Sequence, residues 1–119
     1  LVQADRVRLA TEKAAQWRCI VVLKGAFTVV AAPEGEVAVL PFAEPALARA
    51  GTGDVLAGMI AGFLAQGLPP FAAAISAAYV HGASGRLAAA QTPSGVLAQD
   101  VIAHLPQVIT TLENSRLSR

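Results

Sequence analysis

The residues best equipped for chemistry are Gly51-Thr52-Gly53-Asp54, set directly before the apolar run Val55-Leu56-Ala57-Gly58. Glycines on both sides of a tight turn allow positive φ and a close approach of backbone to ligand. If the following run is a helix, its first turn offers unsatisfied N–H groups and the positive end of a dipole. Together these make an anion site suited to phosphate or to a transition-state oxyanion. A carboxylate beside phosphate oxygens would be repelled, so its presence points to a base acting on a substrate hydroxyl. The competing explanation is a helix cap, in which an aspartate accepts an orphan N–H and contributes ~1 kcal/mol. The run behind Asp54 carries no other charge before Arg86. That pattern predicts a buried helix with one carboxylate at its mouth.

The neighbouring segments define what would hold this loop. Residues 2–17 read as an amphipathic helix, with Val7, Ala10, Ala14 and Trp17 on the inner face and Arg6, Glu12 and Lys13 on the solvated side. Residues 19–23 form a β-branched run too short for a helix, as expected of a strand buried on both faces. Lys24-Gly25 interrupts it. A second strand is expected at 28–32, a turn at 33–36 and a hairpin-paired third strand at 37–40. Residues 42–49, flanked and interrupted by Pro41 and Pro45, read as a loop. The glycine loop then opens a helix ending near Gly67. Pro69-Pro70 starts another over 71–90, proline being favoured in the first turn. Residues 92–95 read as a loop and 96–112 as a helix broken at Pro106, with a frayed end over 114–119. The class is α/β, short strands followed by several helices.

Composition narrows the partners. With 119 residues, 55% apolar and only 5% aromatic, the chain suits one domain whose core is built from close contacts between small side chains. Nine basic and eight acidic residues leave a net charge of +1 and no basic stripe, which argues against nucleic acid. Residues 55–68 fall short of the ~20 apolar residues of a membrane span. They also include three glycines and Gln66, and end at Pro69-Pro70, so no membrane partner is expected. Cys19 is the single cysteine, which excludes an internal disulfide and fits a reducing, cytoplasmic setting. No dedicated set of metal ligands stands out. The chain starts at Leu1 rather than Met, with charged residues close behind and no secretory signal, and reads as a piece of something longer. Gly58 and Gly62 form a spaced small-residue pair suited to close helix packing. His81, on an apolar helix, reads as a satisfied structural histidine. Alanine- and glycine-rich faces also suit a homo-oligomer interface.

Several longer strings carry a family resemblance. Gly51-Thr52-Gly53-Asp54-Val55-Leu56-Ala57-Gly58, followed by Ala61-Gly62-Phe63-Leu64-Ala65-Gln66-Gly67, resembles the signature of the NAD(P)H-hydrate dehydratases. Leu23-Lys24-Gly25-Ala26-Phe27-Thr28-Val29-Val30 upstream, and Tyr79-Val80-His81-Gly82 and Leu97-Ala98-Gln99-Asp100-Val101-Ile102 downstream, match in kind and order. The resemblance implies the C-terminal portion of a ribokinase-like three-layer fold, residues 1–119 being part of a domain whose N-terminal half has no counterpart here. It implies ADP-dependent dehydration of the S epimer of hydrated NADH or NADPH, with AMP and phosphate released. ADP or ATP and Mg2+ are the implied cofactors. Asp54 would take the hydroxyl proton and touch the substrate, and Gly51, Thr52 and Gly53 would complete the catalytic loop. Lys24, Gly25, Ala26, Phe27, Thr28 and Gly53 would bind the nucleotide. The chain departs from the commoner family pattern in having Phe42-Ala43-Glu44-Pro45 in place of Thr-Gly-Asn-Pro, and Ala50-Gly51 in place of a glycine pair. Two other readings remain open: a vitamin or sugar kinase of the same fold, and a non-catalytic nucleotide-binding or assembly module.

Overall fold

A computed structural model describes residues 2–43, 45–48, 51–91 and 96–117. Glu44 and Ala50, where the chain departs from the family pattern, and the expected loop at 92–95 lie outside the described residues. Helix α1 (Val2–Trp17) leads into three short strands, β1 (Val21–Leu23), β2 (Val29–Ala31) and β3 (Val37–Val39). A 3-10 turn (Pro45–Ala48) then precedes α2 (Thr52–Ala65), α3 (Pro70–Gln91) and α4 (Ala98–Leu117). The sheet order is β1-β2-β3, antiparallel throughout, with Val22 opposite Val30 and Val30 opposite Ala38.

The central strand shows why three layers form. Its side chains alternate between faces. Val29 and Ala31 pack on Ala10 and Ala14 of α1, while Val30 faces Leu40, Phe42, Leu56, Ala74 and Ala77 from the other side. The sheet is therefore sandwiched between α1 and the α2–α3 pair, and α4 lies on α3 through Ala88, Val96 and Val101. Small residues make the close approaches. A methyl group on Gly82 would run into the Phe42 ring, and one on Gly85 into Leu47. These two glycines seat the segment that leads into the glycine loop.

Several sequence expectations need correction. Residues 19–23 do not form a strand buried on both faces: β1 begins at Val21, is half-buried as an edge strand, and Cys19 is exposed. Trp17 does not join the inner face of α1 and is 59% exposed, since α1 ends there and the chain turns away at Arg18. Arg6 is not on a solvated side; its guanidinium reaches across to the backbone of residues 23–27. The segment expected to be all loop contains the 3-10 turn. Pro106 does not break α4, which continues to Leu117 with Val101 and Val108 buried on either side of the proline. Helix α2 is not buried. Only Thr52 and Leu56 are enclosed, and nothing among the described residues lies near Gly58 or Gly62, so no close helix packing occurs there. Among the described residues no helix is long and apolar enough to cross a membrane.

Candidate functional site

The glycine loop is held in place from three directions. Gly51 adopts φ 92° and ψ −20°, a left-handed conformation that glycine reaches without the steric strain of a Cβ. It is the residue just outside α2, and no side chain caps the helix. Thr52, Gly53 and Asp54 are the first three helical residues, and the first bond of the helical ladder runs from the Val55 N–H to the Gly51 carbonyl at 3.3 Å. Thr52 is buried, and its hydroxyl donates to the Leu47 carbonyl at 2.6 Å, tying the loop to the 3-10 turn. His81 of α3 meets the Thr52 carbonyl through Nε2 at 2.9 Å. A carbonyl only accepts, so Nε2 carries the proton. Burial lowers the His81 pKa below the usual histidine value; the Thr52 contact works in the opposite direction, and the nearby Lys24 charge lowers it further. The expectation of a structural histidine agrees with this hydrogen bond, but sequence alone gave no hint that its partner is the glycine loop.

The second segment comes from the sheet. Between β1 and β2 the chain turns through Lys24, Gly25, Ala26, Phe27 and Thr28, with φ 145° at Gly25 and 54° at Phe27. The Phe27 N–H donates to the Phe42 carbonyl at 2.8 Å, and the Thr28 hydroxyl donates to the Gly25 carbonyl at 3.2 Å. Lys24 extends from the end of β1 to the first turn of α2. A methyl group on Gly53 would run into its ammonium group. The two segments singled out from the sequence, some thirty residues apart, therefore meet at Lys24 and Gly53. The Lys24 ammonium has no carboxylate partner among the described residues and adds its charge to the positive end of the α2 dipole.

Beneath this junction lies a cavity of about 280 Å³. Lys24, Gly25, Ala26 and Thr28 line one side of it, and Leu56 and His81 the other. This volume is near the lower end of the roughly 300–1,000 Å³ of small-molecule pockets. Phe27 is outside its wall and 43% exposed. Asp54 is also outside its wall: it is exposed on the first turn of α2. A ligand spanning cavity and loop would reach Lys24 and the first turn of α2, which carries Asp54. Among the described residues no cluster of three or more His, Cys, Asp or Glu side chains exists that could hold a metal by itself.

Sequence reasoning missed one residue at this junction besides the role of His81. Arg6 contacts the back of the 23–27 segment, and its only sequence signal was a charge close to the inner face of an amphipathic helix.

Comparison with known proteins places the arrangement. A family model described as NAD(P)H-hydrate dehydratase matches residues 1–107. A bifunctional NAD(P)H-hydrate repair enzyme of Moorella thermoacetica is 45% identical over 113 residues, covering 94% of this chain and 21% of that protein. An ADP-dependent (S)-NAD(P)H-hydrate dehydratase of Neisseria meningitidis is 42% identical over 102 residues, covering 84% of this chain and 34% of that protein. The crystal structure of an ADP/ATP-dependent NAD(P)H-hydrate dehydratase from Bacillus subtilis, co-crystallised with ATP and Mg2+, superposes with a TM-score of 0.86 at 39% identity. That match covers 92% of this chain and 40% of the other. The chain thus spans about a fifth to a third of the curated relatives it matches, and its layers are those of part of a ribokinase-like fold. On a family match running through nearly its whole length, the chain belongs to the NAD(P)H-hydrate dehydratase family.

Proposed function

We propose that this chain carries the nucleotide and phosphate half of an ADP-dependent (S)-NAD(P)H-hydrate dehydratase, with residues 1–119 forming part of a larger domain. The observation that carries the reading is the meeting of Lys24 with Gly53 in the first turn of α2, the turn that also carries Asp54. The amides of Thr52, Gly53 and Asp54, preceded by the left-handed Gly51, are suited to charge developing on a phosphoryl group in transfer. Lys24, Gly25, Ala26, Phe27 and Thr28 supply the nucleotide segment, with the cavity beneath it. Asp54 accepts the proton of the hydrate's hydroxyl as that oxygen attacks the terminal phosphorus of ADP. AMP departs with the electron pair of the broken P–O bond. The phosphorylated hydrate then expels phosphate while the neighbouring ring carbon loses a proton to solvent, and the C–H electron pair forms the double bond that restores the dihydronicotinamide ring. When bound with the nucleotide, Mg2+ would supply countercharge to its phosphates. The relatives' names support this substrate class and the choice of ADP. A cytoplasmic setting and a homo-oligomeric assembly belong to the same reading.

The test is product analysis with the full-length parent protein that carries residues 1–119, hydrated NADH and ADP. Dihydronicotinamide absorbance should return with one AMP and one phosphate formed per ring restored. A phosphorylated product that accumulates instead would favour a kinase of the same fold. ADP bound but unconsumed would favour a non-catalytic nucleotide-binding module.

A further inference from the structure

The turn between β1 and β2 has most of its carbonyl groups gathered onto one side chain. Arg6 Nη1 donates to the carbonyls of Ala26 at 2.5 Å and Phe27 at 3.3 Å, and Nη2 to those of Leu23 at 3.0 Å and Lys24 at 3.2 Å. The remaining carbonyl, that of Gly25, is taken by the Thr28 hydroxyl at 3.2 Å. Gln3 steadies the arrangement, accepting from Arg6 at 3.2 Å and donating to the Phe27 carbonyl at 3.4 Å. The turn closes tightly on the guanidinium: a Cβ on Gly25 would lie 3.0 Å from Nη2.

Peptide geometry gives this clamp a consequence for the other face. In a planar trans peptide the carbonyl and the following N–H point in opposite directions, and no cis peptide occurs among the described residues. Drawing the carbonyls of Leu23, Lys24, Ala26 and Phe27 onto Arg6 therefore turns the N–H groups of Lys24, Gly25, Phe27 and Thr28 away from it. The Phe27 N–H shows the sense of this, since it reaches across to the Phe42 carbonyl. Lys24, Gly25 and Thr28 line the cavity, so their donors are turned from the helix α1 side toward the side where a ligand would lie. A planar guanidinium with five donors can span several carbonyls at once, whereas an ammonium group has three donors on a single atom.

We propose that Arg6 is a positioning residue for nucleotide binding, holding the 24–28 turn with its amides toward the nucleotide without touching the nucleotide itself. This rests on the assignment of 24–28 as the nucleotide segment. The test uses the full-length parent protein, with Arg6→Lys and Arg6→Ala assayed beside Lys24→Ala for ADP-dependent repair of hydrated NADH. Both Arg6 variants should raise the KM for ADP on the order of tenfold, because a preorganised loop becomes one that must be ordered on binding. Their kcat at saturating ADP and their KM for hydrated NADH should stay within about twofold, since transition-state contacts are untouched. Methylguanidinium added to Arg6→Ala should restore much of the ADP affinity and should do nothing for the wild type. An unchanged KM for ADP in both Arg6 variants, with Lys24→Ala impaired, overturns the role of Arg6 alone. Lys24→Ala also leaving the KM for ADP unchanged removes the nucleotide assignment and the proposal with it. A parallel loss of kcat and both KM values, unrescued by methylguanidinium, makes Arg6 merely structural and overturns the proposal too. Where Arg6→Ala does not accumulate as folded protein, the KM for ADP of Arg6→Lys decides.

Discussion

Adding one methyl group at Gly53 separates stability from ligand binding. Gly53 is the second residue of α2 and has no left-handed conformation to protect. Alanine there should gain up to ~1 kcal/mol of helix propensity, less near the helix start than in its interior. Among the described residues the only group the new Cβ would meet is the Lys24 side chain, at its ammonium and adjacent methylene. That is the far end of a flexible chain in partial solvent, so moving it costs little folding energy. It does displace the charge from the first turn of α2. A hydrogen bond to a charged group contributes ~1.5–3 kcal/mol, so losing Lys24 from a bound phosphate should weaken ADP by roughly 10- to 100-fold. Gly53→Ala should therefore unfold in denaturant at the same or a slightly higher midpoint, while calorimetric titration with ADP shows the weakened affinity. Unchanged ADP affinity would mean that Lys24 and Gly53 do not share a phosphate, and a loss of more than ~1 kcal/mol in stability would mean that the glycine serves the backbone.

The same substitution elsewhere should act in the opposite direction. Gly82→Ala on α3 would drive a methyl group into the Phe42 ring near its attachment, where little can give, and should lower stability by ~1–3 kcal/mol in denaturant unfolding. His81 should make the fold acid-sensitive. Its pKa is lowered in the folded chain, so the unfolded chain binds the proton first. The stabilisation is then complete above about pH 6.5, the unfolded histidine value, and is lost as pH falls through the lower folded value. His81→Gln keeps a donor for the Thr52 carbonyl and removes the titration. Denaturant midpoints at pH 7.5 and 5.5 should therefore differ less in the variant than in the wild type, and equal differences would exclude His81 as the source.

How much of this was legible beforehand depends on whether each property is local. The glycine loop, Asp54 and the α/β order could be read because turn chemistry and short β-branched runs are written in adjacent residues. The sandwiching of β2 was not read: double-sided burial was expected of residues 19–23, and which of two short β-branched runs becomes the central strand depends on pairing partners distant in sequence. Arg6 could not, because its acceptors lie 17 to 21 residues away and helical periodicity assigns any arginine to solvent by default. The apolar character of α2 suggested burial, but burial depends on what covers a face, and among the described residues nothing covers the outer one. Pro106 was read as a break because proline removes one N–H and clashes with the preceding turn. The buried Val101 and Val108 anchor the helix on both sides of it. His81 showed only its residue type in the sequence, and its function came from a partner 29 positions earlier.

If Asp54 accepts a proton and does not cap a helix, Asp54→Asn in the full-length parent protein should abolish turnover and spare the fold. Gly51 precedes α2 with no side-chain cap, so the change should remove only a favourable charge–dipole contact of ~0.3–1 kcal/mol. The variant should fold and bind ADP within about twofold of the wild type while kcat falls by roughly 10²- to 10⁴-fold. A folded Asn variant that turns hydrated NADH over within about tenfold of the wild-type rate would contradict it.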